Sequence, residues 1–233
     1  FSSRRRHTRY PLVTGVQTCA LPICELMTEI IDGIRHLITP VTAEDISALH
    51  IGDMFYLSGS MTTCRDVAHR RVVEEKMQLP ADVADGAIFH AGPIVRETEN
   101  GFEMVSVGPT TSMRMEKFEY EFVKQTGVRV IIGKGGMSEN TVRACREYGA
   151  VHCIFPAGNA VIGAVSVVSI TGSEWRDLGM PETLWSCKIH NFGPLIVSID
   201  SHGNNLVDNR KKLYEQREIK VCEEICRQVG FIK

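Results

Sequence analysis

Two short apolar runs flank an amphipathic segment in the middle of the chain. Residues 128–132 and 151–155 are predominantly apolar, which indicates strands buried on both faces. Residues 138–148 between them have helical spacing, a Ser-x-x-Thr start and Gly149 directly after the end, as a capped helix would have. The strand–helix–strand order predicts a partly parallel sheet and therefore an α/β fold.

Similar patterns extend on both sides of this segment. The first third is rich in strand patterns, which indicates a second sheet, and the chain ends in a long charged amphipathic helix. Residues 38–233 contain no repeat, linker or low-complexity tract and are predicted to form one domain. The predicted strands are 51–59, 86–93, 102–107, 165–170 and 195–199, and the other predicted helices are 64–77, 115–125 and 206–229.

The beginning of the chain is set apart from this domain. Residues 1–24 contain no acidic residue and four arginines, Arg4, Arg5, Arg6 and Arg9. Residues 13–23 are too polar for the core of a signal peptide. The segment resembles a translated sequencing adapter, and we interpret 1–24 as a disordered, non-native leader. Residues 25–37 are an N-terminal extension to which the pattern assigns no element.

Composition narrows the class of protein. The 233 residues are 43% hydrophobic and 23% charged with a net charge of −2, which argues against a nucleic-acid partner. No apolar run approaches the ~18 residues of a membrane span. The cysteines outside the leader form no C-x-x-C pair, so we expect reduced thiols, a cytoplasmic location and no metal or cluster bound by this chain alone. They are Cys64, Cys145, Cys153, Cys187, Cys222 and Cys226.

The segment from Gly108 to Met115 carries the densest candidate chemistry. Gly-Pro-Thr-Thr-Ser-Met-Arg-Met combines a backbone break with three hydroxyls, and Arg114 follows Thr110 by four residues, one helical turn. Backbone N–H groups, hydroxyls and a guanidinium at the start of a helix can bind a carboxylate. An ordinary Gly-Pro turn with a hydroxyl cap is the alternative, but a cap does not require the arginine.

Three further segments carry weaker signals. Lys134 lies between glycines after a strand, where it can bind an anion or remain solvated; Gly135 follows it, so this is not a Walker motif. Arg65 and His69 share a helix face near its start, as a proton-transfer and carboxylate-binding pair or as a solvated basic end. Residues 200–205, Asp-Ser-His-Gly-Asn-Asn, are interpreted as a structured turn rather than a metal or catalytic loop.

Together these segments resemble the β subunit, or C-terminal domain, of the class I iron–sulfur hydro-lyases, the family of class I fumarases and L(+)-tartrate dehydratases. The resemblance extends from about residue 38 to the end of the chain. The motifs that carry it are TCRDVAHRR (63–71), FHAGPIV (89–95), VSVGPTTSMRM (105–115), GKGGM (133–137) and FGPLIVSIDSHGNN (192–205).

The resemblance implies a three-layer β/β/α swivelling domain of the class I fumarase C-terminal type. It implies a separate cysteine-bearing α subunit that holds a 4Fe–4S cluster, in an α2β2 heterotetramer. The implied reaction is dehydration of L-tartrate to oxaloacetate, with fumarate hydration as the alternative within the family. A non-catalytic dicarboxylate-binding or assembly module is the alternative outside it.

The resemblance also implies roles for individual residues. The residues implied to bind substrate are Arg65, Thr111, Arg114 and Lys134. Thr110 corresponds to the proposed proton-abstracting base, although a threonine hydroxyl needs nearby cations to act as one. His69 is the alternative proton-transfer group, and the choice between the two stays open at this point.

Overall fold

A computed structural model describes residues 28–31, 33–99 and 101–229. The predicted leader 1–24 lies outside the described residues. Within the extension 25–37, Thr28–Ile31 forms strand β1 and Ile34–Ile38 forms β2, and the two pair antiparallel. The hydrogen-bonded part of the domain thus begins before residue 38, the boundary predicted from sequence.

Within the described residues, eight strands form one sheet in the order β1-β2-β3-β4-β7-β8-β10-β9. The five successive strands β2, β3, β4, β7 and β8 run parallel to one another, and β10 runs antiparallel to β8, β9 and β3. Strands β5 and β6 form a separate two-stranded ribbon. The remaining strands are β3 Met54–Thr63, β4 Ala87–Phe89, β5 Ile94–Thr98, β6 Gly101–Ser106, β7 Val130–Gly133, β8 Val151–Ile154, β9 Val167–Glu174 and β10 Leu184–Ile199.

Helices connect and cover these strands. Gly127 and Gly149 follow α3 and α4 in the left-handed conformation, as the sequence predicts for C-terminal caps. None of the described helices combines the length and apolar character needed to cross a membrane. The helices are α1 Ala43–Ser47, α2 Asp66–Val73, α3 Glu116–Thr126, α4 Glu139–Tyr148, α5 Ala160–Val165 and α6 Leu206–Gln228, with short 3-10 turns at Ser112–Arg114 and Arg176–Leu178.

Two hydrophobic cores lie on opposite faces of the parallel strands. Phe89 and Ile132 belong to the core enclosed by the strands, while their neighbours Ile88 and Ile131 pack with the helices. This alternation follows from the two-residue period of a strand, and it explains why β4 and β7 are apolar on both sides. Helices α2, α3 and α4 contribute Val72, Phe122, Cys145 and others to the helix-side core.

The mixed α/β class predicted from sequence is confirmed. Among the described residues, the second sheet is the two-stranded β5–β6 ribbon, whereas the strands of the first third, β1 to β3, join the eight-stranded sheet. Strand β10 pairs with both β8 and β3 and so folds that larger sheet back on itself. Strand β10 has 16 residues, far more than the predicted 195–199, and α5 occupies the region just before the predicted strand 165–170. Helix α2 is shorter than predicted and begins at Asp66.

Candidate active site

The Gly108–Met115 segment crosses the carboxyl ends of β4 and β7. Ala91 bridges to Pro109 after β4, and Thr111 bridges to Lys134 after β7. The Thr110 amide also donates to the His90 carbonyl oxygen at 2.7 Å. Because the segment is bonded to both strand ends, two sequence-predicted regions, around Thr110 and around Lys134, meet at one edge of the sheet.

Thr110 and Arg114 are in direct contact. Nη2 of Arg114 donates to the Thr110 hydroxyl at 2.6 Å, across the 3-10 turn that precedes α3. The predicted helix starts one residue early, at 115, so the turn rather than the helix sets the spacing. The Arg114 side chain remains 45% exposed, which leaves part of its guanidinium free to meet a ligand.

A second arginine lies beside the first. Asp66 Oδ1 is 3.6 Å from Arg114 Nη2 and 3.7 Å from Arg65 Nε, so one carboxylate links the two cations. Arg65 is the N-cap residue of α2, one position before the helix, and not part of the helix face predicted from sequence. Two guanidinium groups held this close favour binding of a dianionic ligand.

A second carboxylate and a glycine set the position of Arg65. Its Nε lies 3.1 Å from Glu182 Oε1, and the side chain is only 20% exposed. Burial raises the pKa of Glu182 above its ordinary value, and it outweighs the opposing effect of Arg65. A Cβ at Gly92 would collide with Arg65 Nη1, so this glycine allows the arginine to reach the site.

Ser112 fixes the loop that carries Lys134. The Ser112 amide donates to the Lys134 carbonyl oxygen at 3.1 Å, and the Lys134 amide donates to Ser112 Oγ at 3.0 Å. A Cβ at Gly133 would collide with Ser112 Oγ, so glycine is required for this close approach. The lysine is thereby positioned beside Thr111 on the same edge as Thr110.

His69 lies beneath these residues rather than among them. Its side chain has no solvent exposure, and Nδ1 donates to the Arg65 carbonyl oxygen at 2.7 Å. Nε2 faces Glu119 Oε2 at 3.6 Å, and the same oxygen lies 3.6 Å from His90 Nε2. The structure thus joins His69 to the candidate site through the Arg65 backbone and not through an exposed ring.

The described cysteines do not fit an iron–sulfur cluster. Within the described ranges, the one group of three or more potential ligands lying within 4.8 Å of one another is His69, His90 and Glu119, which contains no thiol. Cys64, Cys145, Cys153 and Cys187 are buried, whereas Cys222 and Cys226 are exposed on α6. Burial raises the pKa of Cys187 to about 12, against the deprotonation that a metal ligand needs.

Two other features contribute no chemistry to this edge. Asp200 is fully buried and accepts from the backbone amides of His202 and Asn204, both at 3.0 Å, which fits the predicted structured turn. A cavity of about 640 Å³ lies between the loop that follows α2 and the end of α3, and its lining contains none of the predicted site residues.

A smaller cavity, of about 160 Å³, does lie at the candidate site, where Asp66 and Arg114 are part of its lining.

Several residues at this edge of the sheet were not predicted from the sequence. They contact site residues that are distant in sequence: Ser112 is 22 residues from His90, and Arg65 is more than 100 residues from Glu182. Two of them lie in helices whose sequence pattern is otherwise ordinary. The four residues are Asp66, Glu182, His90 and Glu119. Of these residues, only Glu119 could have been noticed in the sequence, because an acidic residue there occupies a position on the face of α3 that packs against the core. Such a residue is buried only when it has a partner or a task.

Comparison with known proteins places this edge in context. A family model described as fumarase C-terminus matches residues 29–210. The chain is 55% identical over 197 residues to the L(+)-tartrate dehydratase subunit beta of Escherichia coli strain K12, covering 84% of this chain and 98% of that protein. It is 41% identical over 181 residues to a putative L(+)-tartrate dehydratase subunit beta of Methanocaldococcus jannaschii, covering 76% and 93%.

A more distant similarity links the chain to a larger protein. Identity to a putative fumarate hydratase class I of Geobacillus stearothermophilus is 34% over 185 residues, which is 78% of this chain but 35% of that protein. The matched region in that protein is thus one part of a longer polypeptide.

Proposed function

This chain belongs to the fumarase C-terminus family, and we propose that it is the β subunit of an iron–sulfur hydro-lyase that dehydrates L-tartrate to oxaloacetate. The observation that carries the proposal is the contact of Thr110 with one guanidinium group, beside which a second one lies. Arg114 donates to the Thr110 hydroxyl, and Arg65 lies next to Arg114 across Asp66. The names of the relatives at 55% and 41% identity favour tartrate over fumarate as substrate.

The difficult step of this reaction is removal of a weakly acidic C–H proton beside a carboxylate. Proton loss develops negative charge on that carboxylate, so cations that contact it stabilise the transition state more than the ground state. We assign this role to Arg65, Arg114 and Lys134, with the Thr111 hydroxyl as an additional donor. The planar fork of each arginine suits a carboxylate, while the lysine supplies a point charge.

We assign proton abstraction to Thr110. A threonine hydroxyl is a weak base, but the Arg114 guanidinium at 2.6 Å stabilises the alkoxide form through a charge-assisted hydrogen bond. His69, the other candidate, is fully buried and donates to the Arg65 carbonyl, which leaves it without contact to a ligand at the surface. His69 therefore supports the site from below in this assignment.

We propose that a cysteine-bearing α subunit completes the active site and holds the 4Fe–4S cluster, in an α2β2 heterotetramer. The designation of the relatives as subunit beta supports a partner, and the scattered thiols described above support a cluster outside this chain. We further propose a cytoplasmic location, for which four buried free thiols are the support.

Co-expression with the α subunit under anaerobic conditions tests this proposal. The purified complex is assayed with L-tartrate, fumarate and L-malate, and turnover of L-tartrate to oxaloacetate is expected to exceed the other two. Preference for fumarate and malate would replace the substrate assignment with a fumarase. A complex that binds dicarboxylates without turning over any of them would support the non-catalytic module instead.

A further inference from the structure

Three ionisable side chains meet in the interior directly beneath the candidate site. Glu119, His69 and His90 each have no solvent exposure. Four of their atoms lack a hydrogen-bond partner within normal distance: both carboxylate oxygens of Glu119 and the Nε2 atom of each histidine. A buried polar group without a partner is costly, so their convergence on one point requires an explanation.

The hydrogen bonds of the two Nδ1 atoms indicate which ring nitrogen of each histidine carries a proton. His69 Nδ1 must donate, because its partner is the carbonyl oxygen of Arg65. Ser112 Oγ accepts from the Lys134 amide and can direct its own proton to His90 Nδ1, 3.1 Å away. His90 then carries its proton on Nε2, which points toward Glu119.

The two histidines respond differently to their burial. Burial would lower the pKa of His69, but Cys64 and Glu119 outweigh it and the net shift is well above the ordinary value. Burial, assisted by the charges of His69 and His152, lowers the pKa of His90 well below its ordinary value. The pKa values of the two histidines thus shift in opposite directions, although both Nε2 atoms lie 3.6 Å from the same Glu119 oxygen.

Each histidine is also bonded to a residue of the candidate site. The His69 ring donates to the carbonyl oxygen of Arg65, the N-cap residue directly before α2. The His90 carbonyl accepts the Thr110 amide at 2.7 Å, and its ring meets Ser112, which binds the Lys134 amide. A shift of Glu119 would thus be transmitted to both sides of the site.

We propose that Glu119, His69 and His90 form a buried triad that positions Arg65, Thr110 and Lys134 for the reaction. The three are positioning residues, because none reaches the surface where substrate binds. The effect on turnover rests on the proposed function, whereas the effect on backbone geometry does not. We refer to them below as the Glu119 triad.

The variant Glu119→Gln tests the triad within the α/β complex. Glutamine keeps the shape of the side chain and removes its charge. The matched control is Asp200→Asn, the same change at another fully buried carboxylate, which holds the 200–204 turn and has no contact with the triad among its hydrogen bonds. Both variants are compared by amide hydrogen exchange and by steady-state kinetics.

We expect Glu119→Gln to speed exchange of the Thr110 and Lys134 amides about ten-fold and to lower kcat/KM for L-tartrate by a similar factor. Asp200→Asn is expected to lower thermal stability while leaving both measurements within two-fold of the wild type, as an order-of-magnitude bound. Equal exchange at Thr110 and Lys134 in the two variants would overturn the triad. Failure of the wild-type complex to turn over L-tartrate would overturn the proposed function only, since the exchange measurement is independent of substrate.

Two further measurements keep the proposal testable. If Glu119→Gln does not fold, His69→Gln takes its place, because glutamine can reach Glu119 but loses the donor to the Arg65 carbonyl; unchanged KM would then count against the triad. A divalent cation bound by the same three side chains is the competing explanation for the unpartnered atoms. Elemental analysis that finds one equivalent of zinc, nickel or manganese per chain, lost in Glu119→Gln, would replace the triad with a metal site.

Discussion

Nη2 of Arg114 donates to the hydroxyl of Thr110 at 2.6 Å, so the cation and the proposed base are coupled before any substrate binds. This contact makes a specific demand on residue 114. It needs a planar group that can bond the threonine with one nitrogen and a carboxylate with the other. A lysine would retain the charge but could not satisfy both partners in the same geometry.

We therefore expect Arg114→Lys to lower kcat/KM for L-tartrate by about 10- to 100-fold, the usual cost of one charge-assisted hydrogen bond. The measurement is steady-state kinetics on the α/β complex. Arg143→Lys is the control, because Arg143 on α4 is similarly exposed, at 44% against 45%, and pairs with Glu147 away from the site. Equal kinetic constants in wild type and Arg114→Lys would remove the carboxylate-binding role.

Thr110 is expected to affect turnover rather than binding. Thr110→Ala removes the hydroxyl and should lower kcat by about 10²- to 10⁴-fold, the typical contribution of a positioned base, with a smaller change in KM. Thr110→Ser keeps a hydroxyl within reach of Arg114 and should recover most of the lost activity. Turnover near the wild-type rate in the alanine variant would exclude Thr110 as the base.

The contacts of this site that can be predicted from sequence are those between residues close together in the chain. Thr110 and Arg114 are four residues apart, and a local pattern is enough to predict that they meet. The strand and helix periods likewise predict β7, α4 and β8 to within about two residues. Asp66 joins Arg65 to Arg114 only because α2 and the 3-10 turn pack together, and no local period encodes that.

The same reasoning explains why the full length of β10 is not predicted. Residue 186 of β10 pairs with Thr62 of β3, and a contact over this separation leaves no periodic trace in either segment. The first half of β10 also contains Lys188, His190 and Asn191 on exposed positions, which hides the strand from a search for apolar runs. The sequence pattern therefore predicts only the buried end of the strand, residues 195–199.

Gly133 should be intolerant of any side chain. Gly133→Ala places a Cβ on Ser112 Oγ and must displace either Ser112 or the Lys134 loop, at a cost of about 1–3 kcal/mol in stability. We expect KM for L-tartrate to rise as Lys134 moves. The control is Gly172→Ala, where the nearest atom, Ser186 Cβ, is 3.6 Å away and the added methyl fits. Thermal unfolding and KM of the two variants should differ clearly; a Gly133→Ala protein that matches Gly172→Ala in both would show that the close approach is dispensable.

Stability is expected to fall as the pH drops below about 6.5, because folding keeps buried histidines neutral. Burial lowers the pKa of His152 from 6.5 to about 3, and that of His90 also falls well below 6.5. Between the unfolded and folded pKa values the unfolded chain binds more protons, so the free energy of unfolding decreases by up to about 1.4 kcal/mol per pH unit for each histidine. Near pH 6.5 His69 acts in the opposite direction, because its raised pKa keeps it protonated in the folded state while the unfolded state still gains protons. Well below 6.5 it is protonated in both states and adds no slope.

Denaturant unfolding at pH values from 7 to 5 measures this slope. His152→Asn retains an amide near Ser198 but cannot titrate, so its unfolding free energy should depend less on pH than that of the wild type, even if its stability at pH 7 is lower. His190→Asn, at an exposed position of β10, is the control and should keep the wild-type slope. If His152→Asn loses stability with pH as steeply as the wild type, the neutral state of His152 is not what limits acid stability.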